Sequence, residues 1–183
     1  INAAITKMRA NDGLILGICN GFQALIKSGL LPYGDIENMD EKNPTLFRNN
    51  INRHVSHIAR TRITSNKSPW LQGMQPGHMY QVAMSHGEGK FTASQEVVQK
   101  LIENGQVVTQ YVNENGIPTM NGVDNINGSV MAIEGIVSED GHILGKMGHS
   151  ERWEEGLFQN IDGDKNQDIF TNGVNYFTHK KGA

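Results

Sequence analysis

One thiol, one imidazole and one carboxylate stand where they could form a nucleophilic centre. The only cysteine, Cys19, lies in the string Gly17-Ile18-Cys19-Asn20-Gly21. It follows a short apolar run and precedes a helical pattern, which is the setting of a nucleophile elbow. Such a turn forces its central residue into unfavourable backbone angles, and the flanking glycines relieve the crowding. A cysteine there sits at a helix N-terminus, where free amides and the helix dipole favour the thiolate. The Asn20 amide would face an oxyanion developing on an attacked carbonyl. The same five residues also suit a buried structural cysteine at a strand end.

A thiolate that attacks a carboxamide needs a proton donor for the leaving ammonia and a group that fixes the imidazole tautomer. Of the seven histidines, His149 is best placed, in Gly148-His149-Ser150-Glu151-Arg152 directly after a strand pattern. Residues i and i+2 of extended backbone point to one side, so Glu151 can accept a bond from the His149 ring. Taken alone, a His-x-Glu pair is also an ordinary surface pair at a strand end. No H-E-x-x-H string and no paired cysteines suggest a hydrolytic metal site.

The elements needed to position these groups follow from periodicity. Ile1, Ile5 and Met8 recur at helical spacing, and Asn11-Asp12-Gly13 breaks the pattern. Residues 14–18 read as a strand buried on both faces, and residues 22–27 restore a helix. Helix, buried strand, tight turn and helix is the order of a parallel α/β sheet. Residues 29–34 read as a loop, residues 35–45 as a polar stretch and residues 65–77 as a surface excursion. Residues 46–51, 57–64, 79–84 and 106–112 read as strands. Ser94 opens an amphipathic helix that ends at Gly105. Residues 130–137 and 143–147 flank Ser138-Glu139-Asp140-Gly141-His142, a hairpin signal with Asp-Gly as the turn. Residues 168–178 carry a closing helical pattern. No repeat or linker interrupts the chain, so residues 1–183 read as one domain.

Composition excludes several function classes. The chain has 183 residues, 37% hydrophobic, enough for one packed core. Sixteen basic and nineteen acidic residues give a net charge of -3, which does not suggest a nucleic-acid partner. The densest basic stretch, residues 48–62, is diluted by Asn, His and apolar residues and reads as a solvated strand pair. No apolar run approaches the roughly 18 residues of a membrane span. Residues 1–10 lack the charged start and continuous apolar stretch expected of a signal peptide. A lone cysteine forms no internal disulfide and fits a reducing cytoplasm.

The longer string Leu16-Gly17-Ile18-Cys19-Asn20-Gly21-Phe22-Gln23 resembles the G-x-C-x-G-x-Q nucleophile motif of class I glutamine amidotransferases, matching at Gly17, Cys19, Gly21 and Gln23. The late His149-x-Glu151 pair agrees with that family in place and in chain order. The resemblance implies a flavodoxin-like α/β fold: a mostly parallel sheet flanked by helices, with an antiparallel hairpin. It also implies a Cys19-His149-Glu151 triad that releases ammonia from glutamine, with Gln23 helping to hold the substrate.

Within that family, Cys19-Asn20-Gly21, Ser85-His86-Gly87-Glu88-Gly89-Lys90-Phe91, Asn127-Gly128-Ser129 and Met147-Gly148-His149-Ser150-Glu151-Arg152 resemble the signatures of the phosphoribosylformylglycinamidine synthase glutaminases. Those signatures are C-N-G, H-G-E-G-[RK]-F, N-P-N-G-S and M-P-H-P-E-R. The resemblance places His86 near the glutamine pocket and Asn127-Gly128-Ser129 in a turn close to the site. Read without it, His86 and Glu88 belong to a polar loop between a strand and a helix. It implies no cofactor or metal in this domain, a synthetase domain as partner, and ATP and Mg2+ held by that synthetase. The ammonia would convert formylglycinamide ribonucleotide to its amidine. Gly148 and Ser150 depart from the pattern, standing where it has prolines on both sides of the histidine, and Ile126 replaces a third proline. Cys19 comes only eighteen residues in, without the earlier strands and the glycine-rich loop that in the family supplies a second oxyanion amide. The expectation is therefore a piece of a longer polypeptide with little glutaminase activity alone. Another class I glutaminase and a non-catalytic scaffold of the same fold are the competing readings.

Overall fold

The computed structural model describes residues 2–36 and 39–180. Helix α1 (Asn2–Ala10) leads to strand β1 (Ile15–Ile18), helix α2 (Asn20–Lys27) and a short α3 (Leu30–Tyr33) that is broken at Leu31. Then come β2 (Thr45–Arg48), β3 (Val55–Ile63), β4 (Met79–His86), β5 (Glu88–Thr92), α4 (Gln95–Glu103) and β6 (Val107–Tyr111). The chain closes with β7 (Ile133–Val137), β8 (Ile143–Lys146) and α5 (Ile169–Lys180). Single 3-10 turns occupy Pro69–Leu71, Val130–Ala132 and Ser150–Arg152.

Six strands form one sheet in the order β1-β8-β7-β6-β3-β4, and β2 and β5 form a separate antiparallel pair. Both faces of the sheet are covered. Phe22, Leu25 and Ile26 of α2 pack on one face with Met84, Tyr111, Ile136 and Ile143. On the other face Ile63, Leu71, Val82, Val108, Val137, Leu144 and Ile169 of α5 meet. Adjacent residues of β7 and β8 therefore point into different cores, which is why both strands are buried end to end. At the β1–β8 seam α2 lies directly on glycine. A Cβ on Gly145 would come within 2.2 Å of Phe22, and one on Gly17 within 2.4 Å of Leu25.

The α/β class is as expected, with helices over a parallel-plus-antiparallel sheet; the balance of strand directions is different. Among the described residues only β1 and β8 pair in parallel, and the remaining neighbours of the six-stranded sheet are antiparallel. A run of apolar residues buried on both faces reads the same in either direction, so periodicity could not separate the two. The β7–β8 hairpin forms as read, with Gly141 at φ 79°. Ser94 caps α4 by accepting from Val97 N–H. Four readings change. Residues 29–34 contain α3, because Leu30, Leu31 and Pro32 are buried. Residues 65–77 are anchored rather than peripheral: Ser68, Leu71 and Met74 are buried, and Ser68 Oγ donates to Gly141 O. Residues 88–92 form β5 rather than a loop, since Glu88, Lys90, Phe91 and Thr92 pair with β2 and Phe91 is buried in the core. The basic stretch at 48–62 is only partly solvated, with Ala59 and Thr61 buried in β3. Ile1, which began the first helical pattern, lies outside the described residues.

Candidate active site

Cys19 stands between β1 and α2 with φ 52° and ψ -105°, a left-handed backbone that a non-glycine residue adopts only under constraint. The constraint is visible on both sides. Cys19 N–H donates to Lys146 O at 2.9 Å, continuing the β1–β8 ladder, and Gln23 N–H donates to Cys19 O, opening α2. Of the two flanking glycines, Gly17 is the one that relieves crowding, because its Cβ would strike Leu25 and the Gly21 backbone. A Cβ on Gly21 would meet nothing within 4 Å, so the expected relief at that position does not apply.

The thiol is half-buried and its Sγ lies 3.7 Å from Ser85 O on β4. Burial pushes the thiol above its ordinary value; the Asn20 N–H and the Arg152 guanidinium pull it down, and Glu151 pushes it up. The helix terminus thus moderates the thiol rather than making it strongly acidic.

His149 follows β8 and is nearly buried, 8% exposed. Its N–H donates to Ala83 O at 2.8 Å, two residues along β4 from the carbonyl that contacts Cys19. Two anchors that far apart on a strand are separated by about 7 Å, which brings both turns to the same end of the sheet. His149 Nδ1 lies 2.6 Å from Glu151 Oε1. An ionised carboxylate only accepts, so Nδ1–H is the donor, and in the neutral ring the lone pair falls on Nε2. That Nε2 is shielded from solvent and makes no hydrogen bond within the described residues.

Gln23 is fastened across the site, its Nε2 donating to Glu88 O at 2.7 Å. His86 is buried at the end of β4, and neither of its ring nitrogens is hydrogen-bonded within the described residues. Burial, then the neighbouring His149 and His54, push its pKa down to about 4, so at neutral pH the ring is uncharged. The Asn127-Gly128-Ser129 turn sits beneath this segment. Asn127 Nδ2 donates to Gly89 O at 2.7 Å, and Ser129 Oγ accepts from Phe91 N–H at 2.9 Å. Gly128 has φ 82°, and a Cβ there would fall 2.0 Å from Asn50.

Sequence reasoning missed Glu134 and Lys146. Both are fully buried, on neighbouring strands β7 and β8, with Nζ 3.5 Å from Oε1. Burial lowers the Lys146 ammonium, and Glu134 offsets this. The signal was available: a charge within each of two otherwise apolar strand runs. Among the described residues no group of three or more His, Cys, Asp or Glu side chains is arranged to hold a metal ion, and no helix is long and apolar enough to cross a membrane.

An elbow cysteine and a carboxylate-oriented histidine stand at one end of an α/β sheet, and comparison with known proteins shows the family. Residues 1–177 match the CobB/CobQ-like glutamine amidotransferase domain, and the chain belongs to that family. The phosphoribosylformylglycinamidine synthase subunit PurQ of Rhodopseudomonas palustris strain BisB18 is 36% identical over 160 residues, covering 87% of this chain and 63% of its own. The subunit of the same name from Salinibacter ruber is 34% identical over 172 residues, covering 94% and 66%. The structure of PurLQS from Thermotoga maritima matches with a TM-score of 0.68 at 26% identity, over 94% of this chain and 66% of that one. The chain therefore spans just under two thirds of the length of these relatives.

Proposed function

We propose that this chain is the glutaminase part of a phosphoribosylformylglycinamidine synthase, releasing ammonia from glutamine through Cys19, His149 and Glu151. The observation that carries the reading is the His149 ring. With Nδ1 bonded to Glu151, its Nε2 is left unpaired at the end of the sheet where the Cys19 elbow stands. A thiol whose pKa burial has raised needs such a base at the moment of attack.

In this mechanism Cys19 Sγ attacks the side-chain carboxamide carbon of glutamine while His149 Nε2 takes the thiol proton. The Asn20 N–H bonds the developing oxyanion. His149 then returns the proton to the nitrogen, the C–N bond breaks, and ammonia leaves behind a Cys19 thioester. Water, deprotonated by the same ring, attacks that carbonyl, releases glutamate and restores the thiol. Glu151 holds the imidazole in its reactive tautomer throughout. Gln23 and His86 line the substrate side. The ammonia passes to a synthetase partner, which holds ATP and Mg2+ and forms the amidine of formylglycinamide ribonucleotide. Neither nucleic acid nor membrane takes part, and a reducing cytoplasm suits the free thiol. The names of the PurQ relatives and of the PurLQS structure favour this acceptor over those of other glutaminases.

The test is made on the intact protein. Cys19→Ala is expected to lower glutamine-dependent turnover by about 10⁴-fold or more, while turnover supplied with free ammonia continues. A diazoketone analogue of glutamine is expected to label Cys19 alone. Glutamine-dependent turnover that survives Cys19→Ala would end the proposal.

A further inference from the structure

The buried pair Glu134–Lys146 makes nearly all its bonds to the two residues that flank His149. Glu134 Oε1 accepts from Gly148 N–H at 2.6 Å, and Lys146 Nζ donates to Gly148 O at 2.7 Å. The same ammonium donates to Ser150 Oγ at 3.0 Å, and that hydroxyl in turn donates to Gln167 Oε1 at 2.6 Å. Glu134 Oε2 is fixed by Thr109 Oγ1. Each polar side-chain atom of the pair has at least one partner, and His149 lies between the two gripped residues.

Stability is by itself a weak reason to bury these charges. A buried ion pair is often matched or bettered by apolar residues of similar volume. What they supply is a fixed backbone on both sides of one imidazole. We propose that Glu134 and Lys146 are positioning residues for His149, setting the place of its ring through Gly148 and Ser150. The inference rests on the reading of His149 as the proton carrier.

The geometry also explains why residue 148 is glycine. A Cβ there would meet Val82 Cγ1 at 2.7 Å, Glu134 Oε1 at 3.0 Å and Lys146 Nζ at 3.1 Å. A proline at 148 would fill the same space and lack the N–H that Glu134 binds. The charged grip and a proline are therefore mutually exclusive ways of stiffening this turn. The Gly148 and Ser150 departures from the proline-flanked pattern are the complement of the buried pair.

The experiment compares variants of the intact protein. Glu134→Ala with Lys146→Met removes both charges and leaves neither unpaired. Folding is expected to remain cooperative, with the glutamine KM nearly unchanged, Cys19 alkylation by iodoacetamide intact, and kcat down about 10²-fold. Adding Gly148→Pro and Ser150→Pro to that background is expected to recover about tenfold of the loss, whereas Gly148→Pro in the charged background lowers kcat. Unchanged kcat in the folded charge-free variant, or prolines that restore nothing to it, overturns the proposal. If the charge-free variant does not fold, Ser150→Ala decides: a fall in kcat with a shifted acidic limb of the pH profile supports positioning, and no change overturns it. Glutamine turnover that survives His149→Asn would instead overturn the underlying reading of the site.

Discussion

The turn carrying Cys19 is seated by apolar contact, whereas the turn carrying His149 is seated by charge. Gly17 and Gly145 let Leu25 and Phe22 press onto β1 and β8, and the backbone of Cys19 is strained into place by that packing. Nothing polar beyond the ordinary ladder and helix bonds is needed. On the other side, Gly148 and Ser150 are tied to a carboxylate and an ammonium with no access to water. The difference teaches that the two reacting groups depend on different physics: steric fit for the nucleophile, electrostatic fit for its base. The first seat is made by glycines and apolar side chains of β1, α2 and β8, and the second by a carboxylate on β7 and an ammonium on β8.

That contrast is open to breakage at several points. The largest expected effect is at the charged side. Lys146→Met alone leaves Glu134 buried and unpaired, at a cost of about 3–5 kcal/mol, read from urea unfolding; a smaller loss than in the double charge-free variant would break the argument. Next comes pH. His86 is neutral in the fold down to about pH 4, whereas an unfolded histidine takes up its proton near 6.5. The unfolded chain therefore binds the extra proton in that interval, so stability is full above about 6.5 and falls as pH drops toward 4. The loss is on the order of 3 kcal/mol, and His86→Gln is expected to flatten this part of the stability curve. On the apolar side, Gly145→Ala drives a methyl into Phe22 and Leu31 and is expected to cost about 1–3 kcal/mol, with Cys19 labelling slowed. An unperturbed melting curve for that variant would remove steric seating as the explanation. The smallest effect sharpens rather than breaks the picture. Arg152 lowers the Cys19 thiol from an exposed position, so Arg152→Ala is expected to move the alkylation midpoint slightly upward in pH. Added salt should mimic that shift in the unaltered protein.

The Cys19 side was largely legible in the sequence because its determinants are local. A buried apolar run, a glycine, the cysteine and a helix pattern lie within a dozen residues, and the structure forms them in that order. Ser94, the Asp-Gly hairpin and the closing helix were readable for the same reason. Strand direction was not, since residues such as Ile136 and Val137 are buried on opposite faces whichever way the strand runs. The charged seat of His149 escaped because its parts, Thr109, Glu134, Lys146 and Gln167, lie far apart along the chain and meet only in the folded sheet. The burial of Asn127 and Ser129 under Gly89 and Phe91 was hidden likewise. An Asn-Gly-Ser string reads as an exposed turn, and only tertiary contact makes it a brace.

The missing Cβ at Gly148 also constrains how this turn can change by single substitutions. A side chain enters that position only after Val82, the carboxylate and the ammonium have all given way. Neither charge can withdraw first without stranding the other in a dry interior. A lineage carrying this arrangement is thus hemmed in: every one-step route toward a differently stiffened turn runs through a poorer protein. Residues 134, 146, 148 and 150 are expected to be inherited as a set.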